Sequence, residues 1–535
     1  MKGLMMDVPL TLDLVVDRME RYMAAVEVVS RRPDQSLHRT TYGQVAARAR
    51  RLARALVGAG VAPGDRVATL MWNHAEHLEA YLAIPLSGGV LHTLNLRLHP
   101  DDIAYIANDA GDRFLFVDEV LLPLYEKMVA SGARFERVIV VGATSPPAAP
   151  AVDYERFLEV APDVALPVLD ERDALGICYT SGTTGRPKGV VYSHRSTLLH
   201  SLVSALPDGI SISRAETVMP VVPMFHVNGW GLPYTSAMVG ARLIFPGPHL
   251  HPPSLVDLMV REKVTLAAGV PTIWLGIREV LDAAPGQHAL QPGLRMIVGG
   301  SAAPEQLIRD FDRQGLTLVH AWGMTETSPI GLVSRLPPEM ADADDDMKYA
   351  MRAKQGVPPP LVDIRVRNEA GEVPHDGTTS GELQVRGPWI TSRYFGEGGS
   401  PERWTDDGFF RTGDVARVDS HGFVQLVDRV SDLIKSGGEW ISSQEVETAL
   451  MCHAAVLEAA VIGVPHPRWS ERPIAVVVLR PGGEATADQL RDFLAPRFAR
   501  FWLPDAFVFA ESIPRTSTGK FKKRELRDQY RDWAW

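Results

Sequence analysis

Residues 179–194 read YTSGTTGRPKGVVYSH, and the reading of this stretch settles what kind of fold surrounds it. Thr180, Ser181, Gly182, Thr183, Thr184, Gly185 and Lys188 crowd together directly after the short apolar run Leu175 to Cys178. A strand that ends in hydroxyls, two glycines and a lysine makes a phosphate cradle. Glycines let backbone N–H groups approach an anion, hydroxyls donate to it, and the lysine adds a point charge. A Walker A loop is excluded, because that pattern needs a longer spacer between its glycines and Ser or Thr after its lysine. Here Gly189 follows Lys188.

Outward from the stretch, short β-type runs alternate with helical patterns. Upstream, Thr41 reads as an N-cap, with Val45, Ala49, Leu52 and Leu56 following at helical spacing. Runs at 67–70, 90–93, 114–117 and 138–141 read as strands, and 76–83 and 103–108 as helices. Downstream, runs at 218–222, 243–245, 265–268, 296–298 and 318–321 read as strands, most of them separated by helical patterns. This alternation predicts an α/β fold with parallel sheets, whose ligands gather at the carboxyl ends of the strands. Residues 362–427 read as a mainly β subdomain, and a compact α+β unit follows Asp428. The expected division is a large N-terminal domain over 1–428, a hinge at 429–432 and a small mobile domain over 433–535. The acidic tract Asp342 to Asp346 reads as a solvated loop. Lys522, Lys523 and Arg524 read as a solvated basic face.

Composition narrows the function. At 535 residues the chain exceeds one compact core. A net charge of −10 argues against nucleic acid as a partner, since phosphate neutralisation needs a basic face. Cys178 and Cys452 are the only cysteines, so no disulfide framework exists and a reducing compartment is expected. Asp7, Asp13 and Asp17 interrupt the N-terminus, which therefore lacks a secretory apolar region. The most apolar window, 80–94, contains Pro85, Gly88, Gly89 and His92 and is too short to cross a bilayer. These features lead to the expectation of a cytoplasmic protein with no stable membrane insertion.

The 179–194 stretch closely resembles the phosphate-binding signature of the adenylate-forming, AMP-binding enzymes: acyl-CoA synthetases, luciferases and peptide-synthetase adenylation domains. The resemblance runs through nearly the whole chain to Lys520, with motifs in the family's order. It implies that Trp322, Gly323, Met324, Thr325 and Glu326 form the adenine- and magnesium-binding turn, with Trp322 stacked on the base where the family usually has Tyr. Glu326 and Thr180 would hold Mg²⁺, an ion that takes hard oxygen ligands. Asp414, in Arg411-Thr412-Gly413-Asp414, matches the ribose-binding aspartate, and Arg429 the arginine beside ribose and phosphate. Lys520 matches the lysine placed between carboxylate and α-phosphate, where one positive charge lowers the repulsion between reactants. Gly299, Gly300, Ser301 and Ala302 would wall the adenylate.

The segment VPMFHVNGW, 222–230, resembles the gate of fatty acyl-CoA synthetases. By that resemblance Trp230 covers the entrance of an acyl tunnel and His226 lies against the carboxylate. The segment DLIKSGGEWIS, 432–442, would swing onto the site after the adenylate forms. Lys435, Gly437, Gly438, Glu439 and Trp440 would then line the thiol channel. Ser431 stands at the hinge, where relatives often carry Asp or Lys. The implied activity is an ATP- and Mg²⁺-dependent acyl-CoA synthetase, an acid–thiol ligase, for a medium- or long-chain fatty acid, with CoA as co-substrate. A short or aryl acid, such as 3-methylmercaptopropionate, is the alternative substrate. A non-catalytic nucleotide sensor of the same fold is the alternative from another class. The expected partners are the small-molecule acid, ATP and CoA, and dimerisation is an analogy with fatty-acid relatives.

Overall fold

Four sheets carry the architecture of the computed structural model, which describes residues 1, 3–147, 151–180, 186–396, 400–437, 439–515 and 520–535. Ser181, Gly182, Thr183, Thr184, Gly185 and Gly438 lie outside the described residues.

A seven-stranded sheet runs in the order Val152–Asp153, Arg137–Val141, Asp112–Asp118, Arg66–Leu70, Val90–Thr93, Ala174–Tyr179, Gly189–Ser193. Its pairs are parallel except the last, which is antiparallel and joins the two strands that flank 180–188. An eight-stranded sheet runs Ile330–Val333, Thr317–Gly323, Arg295–Val298, Leu266–Gly269, Thr217–Pro220, Arg242–Phe245, Glu27–Arg31, Leu37–Thr41. It is parallel through its centre and antiparallel at both edges. The central strands are apolar on both faces because helices cover both, as parallel sheets require.

The helices follow their sequence cues. Helix Tyr42–Gly58 starts with a reciprocal capping box between Thr41 and Gln44, and Val45, Ala49, Leu52 and Leu56 are wholly buried. Helix Ala75–Leu86 is buried all round, which an ordinary amphipathic helix is not. Its two carboxylates are paired rather than abandoned: Glu76 meets Arg32 at 2.6 Å, and Glu79 meets Arg48 at 2.7 Å and the Tyr154 hydroxyl at 2.6 Å.

The β region is a five-stranded antiparallel sheet, Gly371–Glu372, Asp363–Asn368, Gly381–Arg386, Phe410–Val418, Val424–Arg429. The C-terminal unit pairs Ser470–Leu479 with Val456–His466, Ile434–Ser436 and Ala506–Phe509. Helices Ser443–Met451, Ala487–Leu494 and Lys523–Gln529 accompany it. Among the described residues no helix is long and apolar enough to cross a membrane.

Two expectations are corrected. The acidic tract is not a plain loop: Asp344 caps helix Asp345–Ala353 by accepting from the Met347 N–H at 2.8 Å. Asp345 and Asp346 fill the first turn, where the helix dipole favours carboxylates. Lys523 is not on a solvated face either; it is 9% exposed and its ammonium lies 2.7 Å from Glu447.

Candidate active site

The strands Leu266–Gly269, Arg295–Val298 and Thr317–Gly323 deliver Ala268, Gly299 and Ala321 to one wall of a cavity of about 420 Å³. This is the carboxyl edge of the eight-stranded sheet, where open α/β folds bind ligands. Thr180, Lys188, His226, Trp230, Gly300, Trp322, Gly323, Met324, Thr325, Glu326, Arg429 and Lys520 all line the same space. Motifs up to 340 positions apart, from Thr180 to Lys520, thus meet.

At one end stands an aromatic shelf. Trp322 is 8% exposed and donates its indole N–H to Asp414 Oδ2 at 2.9 Å. Arg429 Nε reaches Asp414 Oδ1 at 2.8 Å, and this carboxylate raises the guanidinium pKa further. Each Asp414 oxygen therefore has one donor and keeps capacity for a second, as a diol ligand would need. The six-membered ring of the indole packs against Gly331, where a Cβ would stand 2.4 Å from it. Trp322→Phe keeps the shelf and removes the N–H. Hydrogen bonds to charged groups contribute about 1.5–3 kcal/mol, so the KM for ATP should rise about tenfold or more with fatty-acid KM little changed. An unchanged KM for ATP would show that the indole N–H does not orient Asp414.

Next to the shelf is the end that carries Thr180 and Lys188. The Thr180 N–H donates to the Lys188 carbonyl at 2.9 Å, and Thr180 Oγ1 accepts from the Lys188 N–H at 3.1 Å. Thr180 and Lys188 are thereby tied to each other. The Lys188 ammonium bonds Ser400 Oγ and sits 5.0 Å above the Tyr394 ring. Tyr394 in turn donates its hydroxyl to Glu326 Oε1 at 2.7 Å. Burial first, then the Glu326 charge, pushes the Tyr394 phenol pKa upward, so it stays a donor. Sequence reading missed Tyr394, which by pattern alone is an ordinary core aromatic. Thr180 and Glu326 offer a neutral and an anionic oxygen into one cavity. That pair suits Mg²⁺, which takes few protein ligands and keeps several waters.

Between the two ends stand Lys520 and His226. Desolvation, reinforced by Arg429, lowers the Lys520 pKa to about 8, with Asp414 and Glu326 opposing the shift. Burial, then the charges of Lys520 and Arg97, lowers His226 to about 4. At neutral pH His226 is an uncharged imidazole beside a cation.

The apolar end rests on an unusual turn. Val227, Asn228, Gly229, Trp230 and Gly231 have φ of 46°, 51°, 60°, 57° and 72°, a continuous left-handed run. Each non-glycine residue costs roughly 1–2 kcal/mol there, Asn least. The Asn–Gly pair is the sequence signal that could have disclosed the turn. Its conformation lays the Trp230 indole on Gly299, where a Cβ would stand 3.1 Å from the ring. Burial of the ring opposes the strain.

Other expected residues stand elsewhere. Ser301 is exposed, and neither Ser301 nor Ala302 lines the cavity, because the chain turns away after Gly300 toward helix Glu305–Arg313. Lys435, Gly437, Glu439 and Trp440 are exposed at the hairpin Ile434–Ser436/Glu439–Ile441, with the Lys435 ammonium 5.4 Å over the Trp440 ring.

A carboxylate reacts with a thiol only after it carries a good leaving group. A cavity that joins an apolar slot to an aromatic shelf flanked by Arg429 and Lys520 suits that activation, and its class is the adenylate-forming enzyme. Residues 15–395 match the AMP-binding enzyme family and residues 445–520 the AMP-binding enzyme C-terminal domain. The chain belongs to this family, among the adenylate-forming acyl-CoA synthetases. It is 49% identical over 533 residues to a long-chain-fatty-acid–CoA ligase of Thermus thermophilus, covering 99% of this chain and 97% of that one. It is 42% identical to a 3-methylmercaptopropionyl-CoA ligase of Ruegeria lacuscaerulensis, covering 99% of each. A solved anthranilate CoA ligase with bound anthranoyl-AMP shares the fold, with a TM-score of 0.85 at 24% identity over 98% of each chain.

Proposed function

We propose that this chain converts a medium- or long-chain fatty acid to its CoA thioester through an acyl-adenylate. The observation that carries the reading is the one cavity lined together by Trp322, Arg429, Lys520, His226 and Trp230, with Asp414 bonded to Trp322 and Arg429. In the first step a carboxylate oxygen attacks the α-phosphorus of ATP, the bond to the β-phosphate oxygen breaks, and pyrophosphate leaves. Lys520 and Arg429 offset the charge of the approaching anions, and neutral His226 donates to the carboxylate. Asp414 accepts from the ribose, Trp322 carries the base, and the turn 180–188 holds the outer phosphates. Thr180 and Glu326 would hold Mg²⁺, which when bound offsets phosphate charge. In the second step the CoA sulfur attacks the acyl carbon and AMP leaves.

The second step needs the thiol to enter where Lys520 now stands. In this reading residues 1–428 form the body, 429–432 the hinge and 433–535 a small domain. Its rotation brings Lys435, Gly437, Gly438, Glu439 and Trp440 to the cavity as a channel for CoA. Ser431, with no charged side chain, leaves control of the rotation to neighbouring contacts. The protein works in the cytoplasm, where its co-substrates are.

CoA-dependent AMP release, measured as kcat/KM across acids from propionate to palmitate and with 3-methylmercaptopropionate, tests the reading. A parent enzyme that favours the longer acids is expected. Trp230→Ala should leave the KM for ATP unchanged and loosen the dependence of fatty-acid entry on ATP. If the parent prefers short acids and the variant shifts to longer ones, Trp230 floors a small pocket. The 3-methylmercaptopropionate reading then replaces this one, as the relative active on that acid makes plausible.

A further inference from the structure

The approach of Lys520 to the cavity depends on contacts behind it. Two residues beyond Lys520, the Lys522 N–H donates to the Pro514 carbonyl at 2.8 Å. The next residue, Lys523, is buried, with its ammonium 2.7 Å from Glu447 and 2.6 Å from the Ser443 hydroxyl. Glu447 also accepts from the Val461 N–H at 2.7 Å, so this pair is tied into the small unit's own sheet. The Ser443 hydroxyl has one proton to give, and it gives it to Asp428 at 2.6 Å.

Asp428 belongs to the other side of the joint. It lies in strand Val424–Arg429 of the five-stranded sheet, immediately before the 429–432 turn, and is 3% exposed. One oxygen, Oδ2, accepts from the Ser443 N–H and hydroxyl, both at 2.6 Å, and from the Gln444 N–H at 3.4 Å. The other, Oδ1, accepts from the Arg429 N–H at 2.7 Å. Four donors converge on one carboxylate at the start of helix Ser443–Met451, where free N–H groups and the helix dipole favour an anion. Beside it the Ser442 hydroxyl donates to the Val427 carbonyl at 2.6 Å.

We infer that Asp428 is a positioning residue for Lys520, acting through Ser443 and Lys523 to hold the small unit in the adenylating arrangement. This rests on the two-step reading above. A rotation about 429–432 leaves Asp428 with the body and carries Ser443, Gln444 and Lys523 away. The Lys523–Glu447 pair travels intact, whereas the Asp428 contacts, with the Ser442–Val427 bond and the Arg417–Glu445 pair near them, belong to one arrangement. Where the hinge residue is an uncharged Ser431, this carboxylate supplies the bias between the two.

Asp428→Asn tests the assignment, because an amide turns one acceptor oxygen into a donor facing N–H groups. The two half-reactions are assayed separately: ATP–pyrophosphate exchange with fatty acid, and thioester formation from supplied acyl-AMP and CoA. Exchange should fall about 10- to 100-fold, the scale of charge-assisted hydrogen bonds, while thioester formation is retained or rises. Ser443→Ala should shift the ratio the same way by a smaller factor, and it carries the test if Asp428→Asn fails to fold. Equal loss in both half-reactions, or loss in neither, would overturn the positioning role. A parent enzyme without fatty-acid-dependent exchange would overturn the two-step reading instead, so the two failures are distinguishable.

Discussion

Lys520→Ala should lower acyl-adenylate formation by about 10²–10³-fold or more, the usual cost of removing one preorganised charge-stabilising donor. Thioester formation from supplied acyl-AMP should be spared, because in the proposed two-step cycle the lysine leaves the cavity before that step. Equal loss in both steps would show that Lys520 serves the fold. The depressed pKa of about 8 adds a pH signature. A lysine is charged below its pKa, so its assistance is present at pH 7 and lost as pH rises through about 8. The kcat/KM of the adenylating step for ATP, which reports the free enzyme, should therefore decline above pH 8. Lys520→Arg should remove that decline whatever its absolute rate, since a guanidinium does not titrate there. A parent profile flat to pH 10 would contradict the role.

Glu326→Gln should be nearly as damaging. The substitution keeps the shape and an acceptor for the Tyr394 hydroxyl, now at 2.7 Å, but removes the carboxylate paired with Thr180 in the reading above. The expected result is about 10²-fold slower pyrophosphate exchange, with half-saturation by Mg²⁺ moved to higher concentration. Tyr394→Phe leaves the charge and removes its orienting donor, so a smaller loss with the same sign should appear. If Glu326→Gln keeps the parent's Mg²⁺ dependence, the carboxylate is structural and the metal reading fails.

The sequence is legible where its chemistry is local. The glycine–hydroxyl–lysine stretch, the aspartate at 414 and the lysine at 520 each carry meaning within a few neighbours. The alternation of runs was enough for the α/β class, because strands buried on both faces are apolar throughout. What it concealed depends on distant partners. Lys523 looks solvated among Lys522 and Arg524, and only the fold brings Glu447 and Ser443 to it. Tyr394 is 68 positions from the carboxylate that it orients, and no local spacing signals the pair. Ser301 and Ala302 share the run of small residues with Gly300, yet one change of backbone direction takes them out of the cavity wall.

The contact between Trp322 and Gly331 constrains the order in which such a site can change by mutation. An alanine at 331 would put its Cβ 2.4 Å from the indole, so the large ring and any side chain there exclude each other. Overpacking of this kind costs about 1–3 kcal/mol, a large share of the margin on which a domain survives. A lineage exchanging Tyr for Trp at 322 therefore has to reach glycine at 331 first, or acquire both changes together. Return is blocked in the same way: while Trp322 remains, position 331 cannot drift. The dependence runs one way, and a variant that keeps Trp322 but carries any residue larger than glycine at 331 should lose nucleotide binding, whereas a smaller ring at 322 over Gly331 should be tolerated.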